Sequence, residues 1–171
     1  MHPVRLRPLA ATDAPAARAL IAGAMGATPY IAVIADALDL ALQTVHAGIG
    51  LESLGLVAER EDELVGVALY GLVAGSEGTG KLHFVAVTAS ARLQGVASEL
   101  CDAAAAALAA HGARFVIAEV ADDPRIAPGR ALLAHAAFRE EARVADYFAD
   151  RIALVVLRRE TDATRTRATG P

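Results

Sequence analysis

Hydrophobic positions change period several times along the 171-residue chain, and each change marks an element. From Val4 to Leu9 apolar and basic residues alternate, the two-residue period of a strand with one covered face. Thr12 or Asp13 then offers a helix cap, Pro15 is tolerated in the first turn, and "AARALIAGAM" supplies the helix. Gly26 and Pro29 break it. A second helix is predicted over Tyr30–Gly48, ending at Gly48 or Gly50. "LGLVAER" and "ELVGVALYGLVAG" read as strands, and Glu61 with Asp62 between them makes a hairpin. Residues 75–80 form a loop before the strand "KLHFVAV". Val96, Leu100, Ala104 and Leu108 then fall on one helical face, in a helix that His111 and Gly112 close. "RFVIAEV" is an almost unbroken apolar run, as expected of a strand covered on both sides. "PGRALLAHAAF" is a short helix, and "ARVADYF" and "RIALVVLRR" close the chain as a hairpin around "AD".

The predicted order is β α α β β β α β α β β. A strand, helix and strand within about 40 residues imply a parallel pair joined by a right-handed crossover. Hairpins on either side make the rest antiparallel. The fold class is therefore α+β with a mixed, mostly antiparallel central sheet and flanking helices, not a doubly wound nucleotide fold. No internal repeat is visible. Residues 1–160 are expected to form one domain, and residues 161–171 a frayed polar tail.

Composition narrows the function classes. Hydrophobic residues make up 55% of the chain but aromatics only 4%, so helices can pack closely while few flat rings are available for bases. A net charge of −4 argues against a general nucleic-acid binder. Cys101 is the single cysteine, which excludes an intrachain disulfide and fits a reducing cytoplasm. No apolar stretch has the pattern of a signal peptide or the ~18–20 residues of a membrane span, so a soluble, cytoplasmic protein is expected.

The joint "FVAVTASARLQGVASEL" carries the chemistry. Between a buried strand and a helix stand Arg92, Gly95 and Ala97 in an R-x-x-G-x-A arrangement. The first N–H groups of a helix lack intrahelical acceptors, and the helix dipole adds partial positive charge there. Gly95 and Ala97 keep side chains away from that backbone, Ser98 adds a hydroxyl, and Arg92 can offset charge. The corner is either a tight turn alone or an anion site.

Here the segment resembles the acyl-CoA-binding motif of the GCN5-related N-acetyltransferase (GNAT) family, Q/R-x-x-G-x-G/A after a strand. Arg92, Gly95 and Ala97 fill its three positions. The element order from about Val4 to Arg159 is similar too, as is the closing "FREEARVADYFADRIALVVLRRE". The resemblance implies a GNAT-like fold in which "LHFVAV" and "FVIAEV" splay apart around acetyl-CoA. Backbone groups at Val85 and Val87 would then bond the pantetheine arm and polarise the thioester. The amides of Leu93, Gln94, Gly95, Val96, Ala97 and Ser98 would hold the pyrophosphate. It implies N-acetyl transfer by direct attack of a primary amine on the thioester.

Acyl transfer to an amine needs a proton acceptor, and His83 and Glu119 lie on the two splayed strands. His83 has an unperturbed pKa of about 6.5, suited to this task. Strand alternation places it on the face of Val85 and Val87, as a base or as a hydrogen-bonded sheet residue. Glu119 interrupts an apolar run, so it is expected to reach a cleft, an arginine or water, as proton acceptor or ion pair. The catalytic glutamate of the family's histone-acetylating members aligns with Lys81. The family's helix tyrosine aligns with Leu133 in "LLAHAAF", leaving Tyr147 of the closing hairpin, or water, as proton donor. Tyr30, Asp36 and Asp39 could offer an aromatic surface and negative charge to a cationic acceptor, unless the aspartates are simply solvated. The expected partners are a small-molecule or peptide amine, with a homodimer allowed, no nucleic acid and no membrane. No metal site is expected. The alternative functions are a non-catalytic acyl-CoA-binding or regulatory domain, or a dimerising module.

Overall fold

The computed structural model describes residues 3–47 and 50–161. Gly48, one of the two expected ends of the second helix, and tail residues 162–171 lie outside the described residues. Within them the elements follow the order expected: β1 (Arg5–Pro8), α1 (Ala14–Met25), α2 (Ile31–Ala47), β2 (Leu54–Arg60), β3 (Glu63–Leu72), β4 (Thr79–Val87), α3 (Val96–Ala110), β5 (Phe115–Ala121), α4 (Ala127–His135), β6 (Arg139–Ala149) and β7 (Ile152–Glu160). They form one mixed sheet in the order β1-β2-β3-β4-β5-β7-β6. β4 and β5 run parallel. The other neighbours are antiparallel. The class is α+β, as the hairpins and the single crossover require.

Helices cover both faces of this sheet, which is why its central strands are apolar on both sides. On one face α1 and α2 pack Leu20, Ile21, Leu38 and Ala41 onto Val57, Val67, Leu69 and Ala86. On the other, α3 and α4 pack Leu100, Leu108 and Leu133 onto Tyr70, Leu82, Val116 and Val155. The helical stripe read from the sequence, Val96, Leu100, Ala104 and Leu108, is buried along its whole length.

Turn chemistry explains the boundaries. Glu61 and Asp62 both take positive φ, 52° and 64°. That is the mirror-image turn whose twist suits a two-residue hairpin. The cap of α1 differs from expectation, because Asp13 makes no side-chain bond to that helix. Its carboxylate instead accepts from Ala10 N at 2.8 Å and from Arg7 at 2.7 and 2.9 Å. Arg7 also donates through Nε to Glu59 at 2.6 Å, so one guanidinium ties β1, β2 and the start of α1 together. Arg7 holds the Asp13 carboxyl below the usual carboxylate range. Thr161, the first residue assigned to the tail, is buried and donates to the Ala113 and Arg114 carbonyls.

Candidate active site

β3 and β4 pair along their length, from Gly66↔Val87 to Leu72↔Gly80, with one register shift between Leu69 and Tyr70. β4 and β5, in contrast, pair only from Thr79↔Phe115 to Lys81↔Ile117. Beyond Lys81 the two strands part. The edge of β4 from Leu82 to Val87 therefore has no strand partner on the β5 side, whereas β5 stays paired to β7 as far as Ala121↔Leu154. Thr88 N donates to Val65 O at 2.8 Å. Backbone direction alternates along a strand, so Ala86 also bonds toward β3 while Val85 and Val87 turn their N–H and C=O groups into the opening.

A bulge sits at the start of that opening. Leu69 faces Phe84 and Tyr70 faces Leu82, which leaves His83 as the extra residue. Leu82, Val85 and Val87 join the core under α3, but Phe84 and Ala86 join the core under α1 and α2. His83 stands where the strand switches faces, between Leu82 on the α3 side and Phe84 on the α1–α2 side. The expectation that placed it with Val85 and Val87 assumed an uninterrupted period of two.

His83 is half-buried. Burial, reinforced by the charge of Lys81, lowers its pKa below the usual value; the Glu52 backbone and the charge of Glu119 oppose this less strongly. Of the expected surroundings, Glu119 meets water, since its carboxylate is exposed. It accepts from Lys81 Nζ at 2.7 Å, an ion pair across the point where the strands part.

The corner at the far end of the opening is built as an anion site would be. A short 3-10 turn, Ala89–Ala91, consumes the Arg92 amide in a bond to Ala89 O, so Arg92 can contribute only its guanidinium and carbonyl. Leu93 and Gly95 both take left-handed φ, 58° and 83°. Gly95 is the N-cap of α3 and no side chain caps the helix. The first helical bond is Glu99 N to Gly95 O at 3.0 Å, which leaves the amides of Val96, Ala97 and Ser98 without helical acceptors. Gln94 donates to Ser90 O at 2.6 Å and accepts from Arg60 Nη2 at 2.8 Å. The sequence reading missed Arg60. Its buried Nε has no partner among the described residues, and only the hairpin turn after it, Glu61–Asp62, hinted that β2 returns to this corner.

The remaining candidates divide. Leu133 is buried in the α3–α4 core. β6 carries four residues, Ala145 to Phe148, against one on β7 between Val144↔Leu154 and Ala149↔Ile152. This bulge is held by Asp146 Oδ1, which accepts from Arg151 N at 2.6 Å. It turns Phe148 edge-on to Tyr30 at 5.3 Å and Tyr147 edge-on to Phe148 at 4.9 Å. Tyr30 donates to Asp123 Oδ2 at 2.9 Å, beside the end of β5. Burial raises the Tyr30 pKa, and its bond to Asp123 adds to the effect. An aromatic arch therefore joins the α1–α2 connection to the closing hairpin, with Tyr147 59% exposed at its outer end. Of the two acceptor-side aspartates, Asp39 pairs with Arg18 and Asp36 is exposed.

Comparison with known proteins gives this arrangement its context. Residues 35–128, more than half of the chain, match the family model described as acetyltransferase (GNAT) family. A solved GNAT-family protein from Desulfovibrio desulfuricans is 25% identical with a TM-score of 0.80, over 92% of this chain and 99% of that one. A ribosomal-protein-alanine N-acetyltransferase from Brucella melitensis is 22% identical with a TM-score of 0.68, over 91% and 99%. A Bacillus subtilis acetyltransferase solved with CoA is 18% identical with a TM-score of 0.68, over 92% and 99%. No curated protein matches the sequence.

Proposed function

Because the chain belongs to the acetyltransferase (GNAT) family, we propose that it is an N-acetyltransferase using acetyl-CoA to acetylate a primary amine of a small molecule or protein in a ternary complex. One observation carries the reading: an unpaired β4 edge leads directly to an uncapped α3 N-terminus. Val96, Ala97 and Ser98 N–H groups, with Gly95 leaving the approach open, fit a diphosphate. Hydrogen bonds to a charged acceptor are worth ~1.5–3 kcal/mol each. Arg92, Leu93 and Gln94 frame that corner, and Val85 and Val87 fit the amide-like pantetheine arm.

When bound, acetyl-CoA supplies an activated thioester carbonyl. The residues of this chain do the rest. A β4 backbone N–H in the opening supports negative charge on the carbonyl oxygen as the amine adds to the carbonyl carbon; such a donor is worth ~10²–10³ in rate. His83, kept neutral by burial, takes the proton released by the amine, and the departing sulfur takes its proton from water or Tyr147. Tyr147 stands at the rim of the arch, which suits acceptor contact better than proton donation. Glu119, tied to Lys81, shapes the floor of the opening. The arch of Tyr30, Phe148 and Tyr147 walls the acceptor side.

The alternative, a non-catalytic acyl-CoA-binding domain, is favoured by the buried Leu133 where an acid would stand. Release of free thiol from acetyl-CoA, measured over peptides, amino acids, polyamines and aminoglycosides, separates the two. Turnover with at least one amine is expected. Binding of acetyl-CoA without release under every acceptor would establish the alternative.

A further inference from the structure

Residues 92–95 turn the chain from β4 into α3, and among the described residues their side-chain hydrogen bonds all belong to Gln94. Arg92 is exposed and Leu93 fully so. The Gln94 amide spans two anchors. Its Nε2 donates to Ser90 O at 2.6 Å, in the 3-10 turn that Ala91, 1% exposed, plugs into the core. Its Oε1 accepts from Arg60 Nη2 at 2.8 Å, at the end of β2, where Arg60 pairs with Glu63 of β3. A carbonyl only accepts and a guanidinium only donates, so the two anchors fix which way round the amide sits.

This bridge crosses the least favourable backbone of the corner. Leu93 holds a φ of 58°, a left-handed conformation that is unfavourable for any residue with a side chain, and its exposed side chain does nothing to offset that. Arg60 carries a second uncompensated burden, since its buried Nε has no partner among the described residues. Both fall on one hydrogen-bonded link. We propose that Arg60 and Gln94 are positioning residues for the cofactor corner: their side chains are a brace, not ligands, and they hold Leu93 and Gly95 left-handed so that the Val96, Ala97 and Ser98 amides converge before a diphosphate arrives. The inference rests on the reading of that corner as the acetyl-CoA site. Without the brace Leu93 relaxes toward negative φ, the amides diverge, and only the fraction of molecules that keeps the corner binds the cofactor.

Calorimetric titration with acetyl-CoA over a double-mutant cycle tests this. Gln94→Met removes both bonds without changing charge. Gln94 is only half-buried, so the variant keeps the fold, read as an unchanged thermal midpoint without ligand. It should weaken acetyl-CoA about tenfold, the scale of one left-handed residue. Glycine takes left-handed φ without steric cost. In a Leu93→Gly background the same Gln94→Met change should therefore weaken binding less than about threefold. Arg60→Met should follow the same pattern. Loss of an attractive charge would persist undiminished in both backgrounds, and a general loosening of the fold would be worsened, not relieved, by a glycine. Native affinity in both Gln94→Met and Arg60→Met would overturn the brace. So would an undiminished loss in the Leu93→Gly background, which would make these side chains ligands. A native protein that binds no acetyl-CoA would remove the reading of the corner and the brace with it; the brace alone falls when the native protein binds and the cycle shows no coupling.

Discussion

Replacing His83 or Glu119 with glutamine separates the proposed base from its charged neighbour. Each change keeps size and hydrogen-bonding capacity but removes the titratable group. If His83 takes the proton, His83→Gln lowers kcat by ~10²–10⁴, or about 3–5 kcal/mol of barrier. Glu119 presents a smaller effect. Its ion pair with Lys81 is short, 2.7 Å, but the carboxylate is 40% exposed and water screens it. Such pairs are worth ~0–1 kcal/mol, and glutamine can still accept from Lys81. Glu119→Gln should therefore cost less than about tenfold in rate and under about 1 kcal/mol in stability. The pH dependence gives an independent reading. Burial lowers the His83 pKa, so the acid limb of kcat/KM lies below the ordinary imidazole value of 6.5 and vanishes in His83→Gln. Stability follows the same sign. Between the folded pKa and 6.5 the unfolded chain binds more protons at this site than the native one, so stability rises with pH across that window and is complete above it. Steady-state kinetics from pH 5 to 9 on both variants is the assay. A loss of 10² or more in Glu119→Gln, with His83→Gln nearly unaffected, would refute the assignment.

Three further outcomes follow from contacts outside the base. Arg7→Ala should cost about 2 kcal/mol in denaturant unfolding, because it strands the 8%-exposed Asp13. Asp13 has a depressed folded pKa, so its contribution is complete above the ordinary carboxylate value, fades as pH falls through the folded one, and should shrink in this variant. Cys101 is 1% exposed and burial pushes its thiol up to about 12. Disulfide reagents should leave it untouched in the native protein and titrate it only on denaturation. Glu99 lies in the first turn of α3, its Oε1 only 3.9 Å from where a Gly95 Cβ would stand. It favours the helix end when the corner is empty and repels a diphosphate, so Glu99→Gln should tighten acetyl-CoA several-fold in calorimetry while lowering stability by about 0.3–1 kcal/mol.

Most of the architecture was legible because it depends on short-range patterns. The α3 stripe, the Glu61–Asp62 turn and the apolar run of β5 each follow from local periodicity or turn chemistry, and together they fix the order of elements. The R-x-x-G-x-A corner was legible for the same reason, since a left-handed Gly95 and an uncapped helix are properties of a few consecutive residues. Contacts between distant segments were not. The bulge at His83 reverses the face of every later β4 side chain, yet no residue type in "KLHFVAV" announces it. Tyr30 was singled out for its helix connection, but its bond to Asp123, 93 positions away, appears only once β5 ends beside α2. Gly71 reads as any small residue in a strand, yet the Glu52 carbonyl occupies the place where its Cβ would stand.

The proposed function stands on the donation of main-chain amides at residues 96–98 to a diphosphate, and thermal unfolding with and without saturating acetyl-CoA tests that most directly. Ligand at about 100 times its dissociation constant should add about 2.7 kcal/mol, a rise of about 5–11 °C for a chain of this size. Gly95→Glu, which puts bulk and charge at the corner, should abolish the rise. No shift in the native protein, or an equal shift in Gly95→Glu, would contradict it.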